Sequence, residues 1–187
     1  MSERDDPTAR SERDDPTARD RLVALVEHAT GSPLAVGTNG VTLSARGDDI
    51  GPLSAVAATL QGTATVVGVI PRLVPSLLPT IPEEGAALDS SPDLDAIEGR
   101  IVLVGAARDR LDGPAGAAIR PLLADRPVDL LVAPGDSPVG ILLADDRVIV
   151  GWFDAEGLAA VLVTDAEAVR EWGVGSVRRY LDAADPI

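Results

Sequence analysis

One histidine, no cysteine and no lysine leave this chain few groups that can act on a bond. His28 falls near the end of a predicted surface helix, and a general base needs a positioned partner that no nearby residue supplies. Zinc asks for three or four ligands, and without cysteine neither a thiolate nucleophile nor a disulfide framework is available. Gly135-Asp136-Ser137-Pro138 sets a serine beside an aspartate, but no histidine lies near in sequence to serve it, and Pro138 suits a turn. Gly105-Ala106-Ala107-Arg108 is neither a GxGxxG loop nor a Walker loop. Asp145-Asp146 has the charge to hold a hard cation, and turn chemistry accounts for the same pair. The sequence therefore predicts no catalytic residue, no metal and no cofactor.

One constellation points to binding instead. If the strands ending at Ile70, Val104 and Ala133 run parallel, then Arg72, the triplet Arg108-Asp109-Arg110 and the pair Asp136-Ser137 share the carboxyl edge of one sheet, where α/β proteins bind ligands. Arginines at a helix start hold anions. Local balancing of aspartate by arginine on an acidic surface explains the same residues without a ligand.

The elements that would position these residues alternate in type. A helix to about Ala29, with Asp15 as N-cap and Pro16 at its first turn, is predicted to lead into a hairpin of Leu34–Gly37 and Val41–Ser44 around Asn39-Gly40. A helix over Pro52–Gln61, a strand over Thr65–Ile70 and a short helix opened by Pro71 follow, then a Pro-, Gly- and acid-rich loop over Thr80–Pro92. Strands at Arg100–Val104 and Val128–Ala133 flank a helix over Gly116–Ala124 that Pro121 interrupts. Three β-rich runs, Val139–Ala144, Arg147–Phe153 and Leu158–Val163, read as an antiparallel meander with turns at Asp145-Asp146 and Asp154–Gly157. Thr164 and Glu167 have capping-box spacing for a final helix whose face carries Val169, Trp172, Val177, Tyr180 and Ala184, with Gly173 and Gly175 working against it. Alternation of this kind predicts an α/β fold, a mixed sheet with helices on its faces.

Composition bounds the class. The core must be aliphatic, since a 45% hydrophobic fraction stands beside two Trp, one Tyr and one Phe. Residues 2–10 and 11–19 are the same charged nonapeptide in tandem, predicted to be a disordered tail, so that one domain spans 20–187. No apolar run approaches the ~18 residues of a membrane span, and the charged N-terminus is unlike a signal peptide, so a soluble cytoplasmic protein is expected. All 16 basic residues are arginine against 30 acids, a net charge of −14. Such a surface repels phosphate, which argues against direct nucleic-acid binding, and matches proteins adapted to molar internal salt.

The order Ala144-Asp145-Asp146, Gly151-Trp152-Phe153-Asp154, Gly157 and Leu162-Val163-Thr164-Asp165-Ala166, then Val169, Trp172 and a Tyr-bearing helix, resembles the C-terminal effector domain of archaeal winged-helix transcriptional regulators. The TrmB-like proteins and the related methanogenesis regulators are meant. The resemblance is strongest over Pro134–Ala184 and extends back towards Arg21, including Val66–Pro79. It implies a phospholipase-D-like sensing domain that has lost its catalysis. The phosphodiesterase motif of the enzymes pairs His with Lys along a strand, and this chain has no Lys. It further implies a small-molecule effector or a partner, either a second copy of the chain or a DNA-binding regulator. One helix before the sensor is too little for a winged helix, so the expectation is a sensor without its reader. A hydrolase-like enzyme with an unrecognised site is the alternative.

With six acids and four arginines of the repeat set aside, 24 acids face 12 arginines, a balance of −12. Self-repulsion therefore loosens the fold as the Debye length grows from about 3 Å at 1 M salt to about 30 Å at 0.01 M. The melting temperature should rise with salt, and a flat or inverted dependence in calorimetry would contradict this.

Overall fold

Aliphatic residues fill both alternating positions of the C-terminal runs, and only a sheet covered on both faces buries them all. The computed structural model describes residues 16–37, 40–73, 97–113, 116–117 and 127–187. Its strands are β1 (Thr42–Ala45), β2 (Thr65–Ile70), β3 (Glu98–Leu103), β4 (Val128–Val132), β5 (Val139–Ala144), β6 (Arg147–Asp154), β7 (Gly157–Thr164) and β8 (Asp185–Pro186). The described helices are α1 (Ala18–Thr30), α2 (Pro52–Leu60), α3 (Gly105–Asp112) and α4 (Glu167–Asp182). One eight-stranded sheet has the order β1-β7-β6-β5-β2-β3-β4-β8. β2, β3 and β4 are parallel neighbours, whereas β5, β6 and β7 form the antiparallel meander and β5 joins the two blocks by pairing antiparallel with β2. This is the mixed α/β architecture that the alternation predicts.

Strand periodicity divides the core. Val69, Val102, Ile141, Val148 and Val150 point to a layer shared with Leu22 and Val26 of α1 and Val169 and Val177 of α4. Val66, Ile101, Leu103, Ile149 and Val161 point the other way, to Val56 and Leu60 of α2 and Ala107 and Leu111 of α3. The largest fully buried side chains are Leu, Ile and Val, each contributing about 1.5–3 kcal/mol on burial.

The final helix presents Val169, Gly173, Ser176 and Val177 to the sheet, with Trp172 and Tyr180 half-buried at the margin of the same core. A Cβ at Gly173 would stand 3.3 Å from methyl groups of Leu143 and Val148. The glycine that weakens the isolated helix by roughly 1 kcal/mol thus lets it ride close to the strands.

Four local expectations are corrected. Thr164 does not cap α4; it ends β7, opposite Val148, and its hydroxyl accepts from the Ala166 amide at 3.1 Å. Strand pairing outcompetes the capping box because it continues a ladder between two buried strands. Leu34–Gly37 forms no strand either: β1 pairs with β7 from Thr42↔Val163 to Ala45↔Ala160, and the Gly37 amide donating to the Val41 carbonyl leaves only a turn. Residues 105–112, where the sequence reading places no helix, are helical, with Ala107 and Leu111 buried one turn apart. The N-cap of α1 is Thr17 rather than Asp15. Residues 74–96, with the expected loop at Thr80–Pro92, and most of Gly116–Ala124 lie outside the described residues, as do residues 1–15.

Thr17 and Asp20 form a reciprocal capping box: the Asp20 amide donates to the Thr17 hydroxyl at 3.2 Å, and the Thr17 amide donates to the Asp20 carboxylate at 3.0 Å. Arg19 pairs with Asp48 at 2.5 Å, so the last residues of the second repeat copy belong to the folded unit. Thr17→Ala should lower stability by about 1 kcal/mol and Thr17→Ser should not, as read by denaturant melts. Equal loss in both variants would show that the cap contributes nothing.

Candidate functional site

The condition on which the carboxyl-edge constellation depends is met, since β2, β3 and β4 are parallel in register. The six residues nevertheless divide in their engagement. Arg108, Asp109 and Arg110 lie along α3 rather than in a loop, with Arg108 reaching Asp112 one turn on at 3.7 Å. The Gly105 amide at the start of α3 donates to the Gly135 carbonyl, and the Ala107 amide to the Pro71 carbonyl. The Asp136 carboxylate lies where a Cβ on Gly105 would be, which puts a negative group of the protein beside that helix start. Asp136 also accepts from the Ser137 amide at 2.8 Å, and the Ser137 hydroxyl is engaged at 3.0 Å with both the amide and the carbonyl of Val139. Arg72 differs from the other five. Half-buried two residues beyond β2, it makes among the described residues one long contact of 3.4 Å, from its guanidinium to the Ala155 carbonyl in the β6–β7 turn.

Arg72 also borders an apolar cavity of about 120 Å3. Val56 of α2, Leu142 of β5, Ile149 of β6 and Phe153 contribute to its wall. Its floor comes from a cross-strand pair of glycines, Gly140 opposite Gly151. A Cβ on Gly140 would come within 2.9 Å of the Phe153 ring, and one on Gly151 within 2.8 Å of a Leu158 methyl, so small residues are needed for these side chains to lie over the strands. A register irregularity between Trp152 and Phe153 marks the same place.

The turn that carries Ala155 is held from its other side. The Arg46 guanidinium forks onto Asp154 at 3.0 and 3.1 Å and reaches Glu156 at 2.6 Å. That fork, with the Glu156 amide, holds the Asp154 carboxyl below the ordinary aspartate range. Sequence reading missed this link because Arg46 and Asp154 are joined only by the β1–β7 pairing. The glycine pair was nearer to hand, since counting outward from the Asp145-Asp146 turn sets Gly140 opposite Gly151.

Asp145 takes the structural course rather than the cation-binding one. At φ 50° it turns the hairpin, and its carboxylate accepts from the Thr65 and Ala64 amides and the Thr65 hydroxyl at 3.0–3.1 Å. Those donors hold its carboxyl low. His28 is exposed in the last turn of α1, and no group of three or more His, Asp or Glu among the described residues is placed to hold a metal ion. No described helix is long and apolar enough to cross a membrane.

Comparison with known proteins supplies the class that this geometry leaves open. A family model described as the methanogenesis regulatory protein FilR1, middle domain, matches residues 51–183. The chain belongs to the FilR1 middle-domain family. No curated protein matches it. Among solved structures, the archaeal chromatin protein TrmBL2, described with a novel mode of DNA binding, is similar at TM-score 0.51 and 11% identity, over 96% of this chain. The FilR1-family chain spans 64% of that protein's length. Nuc from Salmonella typhimurium, a phospholipase D family member, is similar at TM-score 0.54 and 12% identity over 79% of this chain and 97% of its own. NucT from Helicobacter pylori gives TM-score 0.54 and 11% identity over 79% and 98%. Identities this low speak to fold alone. The regulator-family resemblance and the phospholipase-D-like architecture expected from the sequence are thus both found.

The Asp145 and Asp154 carboxyls stabilise the folded FilR1-family domain only while ionised. Their contribution is complete above the ordinary aspartate value of 3.8 and is lost as pH falls through their lower folded values. Asp145→Asn should therefore melt below the unmodified chain at neutral pH, and the gap should narrow on acidification below 3.8. A gap independent of pH would remove the charge from this account.

Proposed function

We propose that this domain is a non-catalytic regulatory sensor that responds to a small molecule or to a partner regulator. Membership of the FilR1 family over residues 51–183 carries the proposal. The cavity beside Arg72 supports uptake of a small molecule, because apolar recesses with few polar groups are the usual form of such sites. The partner would be a second copy of the chain or a regulator that reads DNA. Direct contact with DNA by this domain is disfavoured by its −14 charge. The same acidity and the absence of lysine fit a cytoplasm of high salt.

An enzymatic reading draws only on the fold shared with Nuc, and the residues oppose it. The chain has no lysine, and its single histidine sits exposed at a helix end. A metabolite screen by thermal shift in about 1 M salt, where the Debye length is about 3 Å, tests the proposal alongside assays of phosphodiester turnover and duplex DNA retardation. The expected result is a saturable stabilisation without turnover and without a retarded band. Turnover abolished by substitution of an Arg72-cavity residue would replace the sensor with an enzyme. Retardation that weakens with salt would overturn the absence of DNA contact.

A further inference from the structure

The cavity beside Arg72 is selective in chemistry as well as in size. Its described wall is carbon from α2, β2, β5, β6 and β7, and Arg72 is its one charged member. An engineered apolar cavity of ~150 Å3 takes up benzene, so about 120 Å3 suits a short hydrocarbon body. Arg72 has five N–H donors, and among the described residues it engages one of them, at 3.4 Å, and meets no carboxylate partner. A half-buried cation at the edge of a low-dielectric recess attracts an anion more strongly than it would in water. Its planar fork matches the two oxygens of a carboxylate.

We infer that this cavity binds a small monocarboxylate with a short aliphatic body, its carboxylate on Arg72 and its carbon chain over the Gly140–Gly151 pair. The assignment deepens the sensor reading above and rests on it. Neutral hydrocarbons leave the guanidinium unsatisfied, amines meet a like charge, and phosphate without a carbon body leaves the apolar wall unfilled. The Arg46 fork onto Asp154 and Glu156 fixes one side of the turn bearing Ala155, so the carbonyl that Arg72 touches is held in place for exchange against the ligand.

Hexanoate is the probe, with 1-hexanol and hexylammonium as partners of matching body and different head. In the full chain at molar salt, hexanoate should raise the melting temperature saturably, hexanol less, and hexylammonium not at all. Methyl NMR should show hexanoate shifting Leu142 and Ile149, which line the cavity, and not Val148 or Val150 on the opposite face of β6. Arg72→Gln should weaken hexanoate by about tenfold, as loss of a charge-assisted pair does, and leave hexanol unchanged. Equal binding of hexanol and hexanoate, or methyl shifts confined to the opposite face, would overturn the assignment without needing any variant. If hexanoate fails while another metabolite stabilises the domain from elsewhere, the cavity assignment falls and the sensor reading stands. If no small molecule or partner regulator changes stability, both fall.

Discussion

The seam between β2 and β5 joins a parallel block to an antiparallel meander, and the rest of the domain is arranged around it. Parallel strands are stable only when both faces are covered, whereas a meander alone would tolerate water on one side. Hydrogen bonding the two into one sheet extends the stricter requirement to every strand. A Cβ on Gly68 would collide with the Ile141 carbonyl across the seam, so glycine lets the strands close there. Asp145 completes the joint from the hairpin end by holding the amides at the start of β2. Two helical layers then follow as necessary cover.

An aliphatic core limits how those layers meet the sheet. Val and Ile are short and branched, which permits close approach, and Gly173 takes this furthest by bringing α4 almost onto Leu143 and Val148. The aromatic rings are displaced to margins: Trp152, Trp172 and Tyr180 half-buried on one face, Phe153 beside the cavity on the other. A ring over a glycine pair packs less completely than interlocking methyl groups, and the cavity lies where that mismatch occurs.

Legibility followed the range of the forces involved. The meander was readable because its strands are consecutive, its turns are marked by Asp and Gly, and its apolar runs are long. Pro52 and the run Thr65–Ile70 likewise declared their elements locally. The failures lie where a distant partner decides. Thr164 has every local reason to cap a helix and is drawn instead into the β6–β7 ladder. The segment expected as a hairpin arm at Val41–Ser44 supplies Thr42–Ala45 to a strand over a hundred residues away rather than to its neighbour. At the carboxyl edge, sequence could place Arg72, Arg108 and Asp136 near strand ends, but only the fold distinguishes an arginine paired along its helix from one bordering an apolar recess. The Arg46–Asp154 fork was hidden for the same reason.

The two ends of the sheet bear on how copies of this molecule behave in company. β1 has four residues and β8 two, so neither presents a long row of unpaired backbone groups. On β1 the Ala45 amide is already occupied by the Asp48 carboxylate, which Arg19 in turn holds. In dilute solution the net charge of −14 would keep copies apart unaided. Where salt screens that repulsion to within a few ångströms, shape has to take over. Brief, blocked margins are then what prevents strand-to-strand growth into aggregates when the chain is crowded.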